Sequence, residues 1–373
     1  MKRKSVLADF IVFALVLVMF AGCGMTTNQP FEQTERRISD LSLEEKRDEL
    51  QGLVEQFYAQ QGGFSGVVLV SRGGEVIFGE AFGVADHGSG IYNTLDTPFF
   101  IGGITKAITG AAVMMLEMDG KLDVSYTLDN FFTGHHRLAH ITVEQLIAQE
   151  GGFGGSTPLA GAFIADPDRP RDMTPLDLEP YVIERLNWVD IHNSNVDYWV
   201  LGRVIEQVSE MAYDEFVAAR IFEPLGMRNS GIPGAMEAAM PLHVPIPAQD
   251  AYSLMLDTPD FGFFINYSSS GLIASANDLN IWMGAFFGGE LFPEYMLEHI
   301  TYGDELLNYG WRFHESGLWY QSTGARTVPV SNKIIYDPGS DTRIIVLSNL
   351  VTGNNEAIAL AEMLAEGVLG VRM

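Results

Sequence analysis

The sequence predicts a mixed α/β sandwich, in which an antiparallel sheet built from both ends of the chain is flanked by terminal helices and carries an inserted helical lobe. Runs rich in β-branched and aromatic residues lie near both ends of the chain, and apolar residues at helical spacing fill the segment between them. The length of 373 residues, with 47% hydrophobic and 19% charged residues, suits one large two-lobed globular domain.

The first predicted elements are a helix, a hairpin and a buried helix. Ser42 and Glu45 form a capping box at the start of an amphipathic helix. Two β-rich runs within 66–82 are separated by Arg72–Glu75, whose two central glycines are typical of a hairpin turn. The stretch Lys106–Met118 is apolar on nearly every side, so it is expected in the middle of the core.

The remaining elements follow the same reasoning. Helical spacing predicts four helices, over Val143–Gln149, Tyr198–Val208, Tyr213–Ile221 and Asn277–Phe287. Period-2 and β-rich runs predict three strands, Trp319–Thr323, Ser331–Tyr336 and Arg343–Asn349, before a last helix over Glu356–Leu369. The segment Ser156–Asp190 is rich in proline and aspartate, which predicts a loop over one face of the molecule. The helical lobe is expected over residues 107–290.

The N-terminus has the pattern of an export signal. Basic residues 2–4 precede an uninterrupted apolar run, 10–20, which is too short to span a bilayer. The run ends in Ala-Gly-Cys23, which is similar to a bacterial lipobox. We expect Cys23 to be lipidated and to anchor the protein at the extracytoplasmic side of a membrane. The predicted organisation is a signal peptide, 1–22, a lipidated cysteine and tether, 23–41, and one domain, 42–373.

Composition excludes several classes of function. A formal charge of −26 repels phosphate backbones, which argues against nucleic-acid binding. Cys23 is the only cysteine, so internal disulfides and a cysteine nucleophile are excluded. His135, His136 and His140 have no carboxylate at ligand spacing, and we expect a solvent-exposed cluster and no metal or other cofactor. Three tryptophans are expected in the core: Trp199, Trp282 and Trp311.

Over residues 48–369 the chain resembles the serine β-lactamase and penicillin-binding family. The resemblance is carried by short motifs in the family's order. They are Phe99–Lys106, Gly120–Leu122, Asn193–Asn195 with Tyr198, Phe222–Met227, Gly271–Ser275, Ser322–Gly324, and Asp337-Pro338 followed by Val346–Asn349. The resemblance implies a β-lactamase/transpeptidase-like fold with the functional cleft between the sheet and the helical lobe.

The family's catalytic groups are degenerate in this chain. The resemblance implies three motifs, Ser-x-x-Lys, Tyr-x-Asn and Lys/His-Thr-Gly. Gly103 stands where the serine belongs, Asn193 where the tyrosine belongs, and Ser322 where the lysine or histidine belongs. The family's His-Thr-Ser-Gly loop is here Gln149–Gly152. Four residues of the catalytic set remain: Lys106, Asn195, Thr323 and Gly324.

The sequence therefore predicts a protein without hydrolytic activity that binds a cell-wall peptide or a protein partner. Losing a nucleophile typically reduces the rate by about 10⁶-fold. The residues expected to contact a ligand are Lys106, Gln149, Asn195, Ser322 and Thr323. For Lys106 and Asn195 a purely structural role stays open, and a general-base role for His192 is possible from its position alone.

Two alternatives stay open. The first is a working serine hydrolase of this family with a displaced nucleophile, for which Ser322 is the candidate in the third motif. The second is a purely structural surface lipoprotein whose cleft has collapsed. The three readings differ in whether the cleft is open and whether any serine within it reacts.

Overall fold

The central sheet is assembled from both ends of the chain, as the sequence predicts. Its strands are ordered β2-β1-β12-β11-β10-β9, and each neighbouring pair is antiparallel. The strands are β1 Gly66–Arg72, β2 Glu75–Phe82, β9 Arg312–Phe313, β10 Trp319–Thr323, β11 Ser331–Asp337 and β12 Thr342–Ser348. Because β9 pairs only with Trp319 and Tyr320, the C-terminal half of β10 forms the edge of the sheet that faces the helical lobe.

The computed structural model describes residues 43–61, 63–86, 89–132, 135, 138–153, 179, 182, 195–232, 242–243, 267–302, 308–323, 330–351 and 355–373. Short strands within these ranges form three smaller sheets. They are β3 Val84–Asp86 with β4 Ile91–Tyr92, β5 Phe99–Phe100 with β8 Ile273–Ala274 and β6 Ser230–Gly231, and β7 Leu242–His243 with β13 Leu350–Val351.

Helices lie on both faces of the sheet. The helices of the described residues are α1 Leu43–Gln61, α2 Thr105–Met118, α3 Val143–Ile147, α4 Asn195–Ser209, α5 Tyr213–Val217, α6 Glu223–Leu225, α7 Ala276–Phe287, α8 Glu294–Tyr302 and α9 Glu356–Leu369, of which α1, α7 and α9 contact the sheet. Since strand side chains alternate between faces, β1 contributes to two cores. Val67 and Leu69 pack with the helical lobe, whereas Val68 and Val70 pack with α1 and α9.

Helix α2 passes through the middle of the larger core. Every residue from Thr105 to Leu116 is buried, as its all-round apolar sequence predicts. The prediction that three tryptophans belong to the core is confirmed, because Trp199, Trp282 and Trp311 are at most 2% exposed. The rings of Trp282 and Trp311 stack at a centroid distance of 5.5 Å. Among the described residues, no helix is both long and apolar enough to cross a bilayer.

Two helices end before their predicted C-terminal bounds, whereas the helix predicted over Tyr198–Val208 is longer and spans Asn195–Ser209. The helix expected to reach Gln149 ends at Ile147, because Gln149 adopts the left-handed backbone conformation with φ 59°. The helix expected over Tyr213–Ile221 is α-helical only to Val217 and continues as a π-helix. The Ser42 cap lies outside the described residues, as do 156–178, 180–181 and 183–190 of the predicted loop.

Candidate functional site

The site lies where the start of α2 meets the edge of β10. A 3₁₀ turn, Gly102–Ile104, leads into α2 and places Gly103 against the C-terminal end of β10. The first N–H groups of a helix have no partner within the helix, so another element must supply one. Here the Gly103 N–H donates a short hydrogen bond to Oγ1 of Thr323.

The Thr323 side chain joins the end of β10 to the turn that precedes α2. Its hydroxyl accepts from the Gly103 N–H and donates to the Ile101 carbonyl at 3.2 Å, so both hydrogen-bonding roles of the group are used. Gly102, between these two partners, has φ 53°, which strongly favours glycine. A Cβ on Gly102 would also lie only 2.5 Å from the Thr323 side chain.

Gly103 leaves no room for a side chain. A Cβ at this position would lie 2.9 Å from the Ser322 carbonyl oxygen and 3.2 Å from Thr323 Oγ1. The nearer atom belongs to the backbone of a strand, so it cannot swing aside as a side chain can. The start of α2 and the end of β10 are therefore in close contact at the position where the family resemblance implies a serine.

The Gln321 side chain occupies hydrogen-bonding groups at the edge of β10. Gln321 is buried, and its Oε1 accepts the Ser322 N–H at 2.9 Å while its Nε2 donates to the Gly310 carbonyl. Edge strands present unpaired backbone groups that can pair with an added strand. At Ser322 the outward N–H is occupied by Gln321 and the carbonyl faces Gly103, so neither is available for such pairing.

The Ser322 side chain lies on the other face of the sheet from Thr323. Successive residues of a strand point to opposite faces, and burial alternates along β10 accordingly. Ser322 is directly opposite Lys333 on β11, whose Nζ forms a salt bridge with Glu362 at 2.6 Å. The displaced-nucleophile alternative stays a prediction, with Lys333 as the basic side chain across from Ser322.

Lys106 and Asn195, two retained family residues, are in direct contact. Lys106 Nζ donates to Asn195 Oδ1 at 2.6 Å and lies 6.0 Å from the centre of the Tyr198 ring. Burial, with the nearby Arg312 charge as the second cause, lowers the pKa of Lys106 to about 8, against a smaller opposite effect of Asp197. The ammonium group is therefore held in a desolvated site by a neutral amide.

The turn that replaces the His-Thr-Ser-Gly loop lies beside the first turn of α4. The Gly151 N–H donates to the buried Asp197 Oδ2 at 2.9 Å, which ties this turn to the helix that carries Asn195. Oε1 of Gln149 is buried and accepts no hydrogen bond from the described residues. Of the remaining predicted site residues, Asn193, Gly324, His192, His136 and Cys23 lie outside the described residues.

Two side chains at the site were missed by sequence reasoning, Arg312 and Gln321. Arg312 lies on β9 and Gln321 on β10, the two neighbouring strands at one edge of the sheet, and Gln321 donates to the Gly310 carbonyl. The strand pattern around Trp319 marks the edge strand, but nothing in the sequence indicates which charged residue of the preceding segment lies near Lys106. No group of three or more potential metal ligands occurs within the described ranges.

The antiparallel sheet built from both chain ends and the helical lobe packed on it define a penicillin-binding-protein-like α/β fold. The sequence profile described as Beta-lactamase matches residues 50–368. The chain belongs to the β-lactamase family.

Curated relatives include a putative penicillin-binding protein. The chain is 27% identical over 295 residues to the putative penicillin-binding protein PbpX of Bacillus subtilis, covering 79% of this chain and 72% of that protein. It is 23% identical over 223 residues to the protein flp of Staphylococcus aureus (strain N315) and covers 44% of that protein and 58% of this chain.

Solved structures show the same fold at lower identity. The octameric penicillin-binding protein homologue of Pyrococcus abyssi superposes with a TM-score of 0.68 at 20% identity, covering 87% of this chain and 77% of that chain. FmtA of Staphylococcus aureus gives a TM-score of 0.69 at 19% identity, with 87% and 89% covered. These likenesses confirm the α/β fold class that the sequence predicts.

Proposed function

We propose that the protein is a membrane-anchored, extracytoplasmic member of the β-lactamase family that does not hydrolyse its ligand and acts by binding a cell-wall peptide or a protein partner. The observation that carries the proposal is the Gly103 position. It lacks a hydroxyl, its N–H is occupied by Thr323, and its Cα lies against the Ser322 carbonyl.

Each of these features opposes acyl transfer. A nucleophile is needed to form the covalent intermediate, and glycine offers none. Backbone N–H groups that stabilise an oxyanion must be free to donate to it, whereas the Gly103 N–H already donates to Thr323. Without a nucleophile, binding and oxyanion donors leave on the order of 10³-fold acceleration over water.

The predicted location rests on the N-terminus and on the relatives. A basic head, an eleven-residue apolar run and Cys23 favour export followed by lipidation.

PbpX of Bacillus subtilis carries a name that describes penicillin binding. A wall peptide is therefore the ligand class that we place first, and a protein partner second.

The test is covalent labelling of the domain from residue 39 onward with a fluorescent penicillin and with a fluorophosphonate, read by peptide mass spectrometry. A family member that keeps the serine serves as the positive control. We expect no stoichiometric adduct on this protein. An adduct on any serine would contradict the proposal, and an adduct on Ser322 would establish the displaced-nucleophile alternative.

A further inference from the structure

The face of the sheet that packs on α9 carries four polar side chains close to its β9 edge. Arg312 of β9 is directly opposite Tyr320 of β10. Two residues further along β10, Ser322 is directly opposite Lys333 of β11. Directly opposite residues of an antiparallel pair point to the same face, as do residues two apart on one strand. These four residues therefore form one cluster, the edge patch, on the side of the sheet where Tyr320 joins the core of α1 and α9.

Lys333 is the buried member of the edge patch. Its Nζ forms a salt bridge with Glu362 of α9 at 2.6 Å and lies 4.8 Å from the centre of the Tyr320 ring. Burial lowers the pKa of Lys333, the contact with Glu362 raises it, and the Arg312 charge lowers it again. Because Tyr320 is also the residue directly opposite Arg312, two cationic residues are neighbours of one tyrosine.

Arg312 has no acidic partner within the described residues, although the chain holds 48 acidic and 22 basic residues. Its guanidinium, which is partly exposed, also makes no hydrogen bond with that part of the chain. The hydroxyl groups of Tyr320 and Ser322 likewise have no hydrogen-bond partner in the described ranges. The edge patch therefore offers an arginine fork and two hydroxyl donors that no acceptor of the described chain occupies.

The charges of the edge patch do not balance. Arg312 and Lys333 contribute two positive charges and Glu362 contributes one negative charge, so one positive charge remains. Glu362 is bound to Lys333, which leaves Arg312 as the uncompensated group beside a second cation. An anion with a single negative charge would balance the patch and leave the Lys333–Glu362 pair in place.

We propose that the edge patch binds a phosphate group that carries one negative charge. Arg312, Tyr320 and Ser322 donate to it, and Lys333 supports it with its positive charge. These donors come from two strands, and therefore from different directions, which suits a tetrahedral phosphate better than a planar carboxylate. Arginine is over-represented where phosphate is recognised. The site is on the opposite face of the sheet from Thr323, so the inference goes beyond the proposed function.

The experiment measures binding of dimethyl phosphate to the full-length protein in an uncharged detergent. Trimethyl phosphate is the neutral counterpart, and acetate is the planar monoanion. All three carry methyl protons, so ligand-observed proton NMR gives each dissociation constant. We expect dimethyl phosphate to bind with a Kd on the order of 1 mM, about tenfold or more tightly than trimethyl phosphate and about threefold or more tightly than acetate.

Competition with inorganic phosphate identifies the source of the phosphate group. If inorganic phosphate displaces dimethyl phosphate at a concentration below the Kd of the diester, the site is one for the free ion. Displacement only above that concentration assigns the site to a phosphodiester. Either result supports a phosphate site.

Variants separate the edge patch from general surface charge. Arg312→Gln should weaken binding of dimethyl phosphate about tenfold, whereas Arg228→Gln, which removes the same charge at an exposed position, should leave it unchanged. Glu362→Gln removes the carboxylate that competes for Lys333 and should tighten binding about threefold or more. Glu366→Gln removes the same charge one turn further along α9 and should have a smaller effect. Circular dichroism checks that each variant is folded.

Two further variants test the hydroxyl groups without changing charge. Ser322→Ala and Tyr320→Phe each remove one O–H donor, and each should weaken binding of dimethyl phosphate about threefold.

Four results would overturn the phosphate site. They are no binding of either phosphate anion, equal binding of dimethyl and trimethyl phosphate, tighter binding of acetate than of dimethyl phosphate, and unchanged binding in folded Arg312→Gln. Weaker binding in folded Glu362→Gln would also contradict it, because the anion would then depend on a carboxylate that should repel it.

Discussion

Substituting Gly103 with alanine tests whether the site is built around glycine. The new Cβ would lie 2.9 Å from the Ser322 carbonyl oxygen, whereas carbon–oxygen contacts are normally about 3.3–3.6 Å. Relieving the overlap requires the 3₁₀ turn or β10 to move, and overpacking of this kind costs about 1–3 kcal/mol. Replacing glycine with alanine in a helical turn offsets about 0.5–1 kcal/mol of that cost.

The expected net result is a loss of about 0.5–2 kcal/mol in the free energy of unfolding. Urea unfolding followed by circular dichroism measures it, and the slope against urea should stay unchanged. The matched control is Gly52→Ala in α1, where a Cβ meets nothing within 4 Å. That variant should be more stable than the native protein by about 0.5–1 kcal/mol.

The reasoning is refuted if Gly103→Ala is as stable as the native protein while Gly52→Ala gains stability as expected.

The serine variant at the same position tests hydrolytic activity. Gly103→Ser meets the same Ser322 carbonyl, so its hydroxyl is not expected to reach a productive position, and ester hydrolysis should stay near background. Robust turnover by this single variant would show that the turn carrying position 103 and the end of β10 move apart readily.

Three further predictions concern charge and export. Burial raises the pKa of Glu117 from its ordinary 4.5 to about 7, so the folded chain holds a proton that the unfolded chain releases. The free energy of unfolding should therefore fall as the pH rises from 4.5 to about 7, by on the order of 2 kcal/mol after allowing for partial solvent screening. Urea unfolding at several pH values measures this dependence. Glu117→Gln should remove it, whereas the control Glu290→Gln, at an exposed position, should not. For Lys106 the folded pKa of about 8 lies below the ordinary 10.5, so stability should rise with pH between these values in the native protein and not in Lys106→Met. Replacing Cys23 with alanine should move the full-length protein out of the detergent phase on phase partitioning, and unchanged partitioning would place the anchor elsewhere.

Many strands and helices could be predicted from the sequence because they follow from local patterns of apolar residues. Strand Trp319–Thr323 and helix Glu356–Leu369 were predicted with the bounds that the structure has. Period-2 alternation and helical spacing depend only on neighbouring residues, which explains this success. Helix ends were less accurate, since the left-handed conformation of Gln149 and the π-helical continuation after Val217 are not encoded in apolar spacing.

The sequence by itself determined the family frame and predicts the absence of the family's nucleophile, because both depend on which residue stands at a given position in a motif. Only the tertiary structure decided what surrounds Gly103. Gly103 and Thr323 are 220 residues apart along the chain, yet their hydrogen bond joins the turn before α2 to the end of β10. The backbone of Gly310 lies against the Lys106 carbonyl because the sheet is built from both chain ends and the segment before β9 returns to the start of α2. Contacts of that kind depend on how whole elements pack, so no local pattern of residues specifies them.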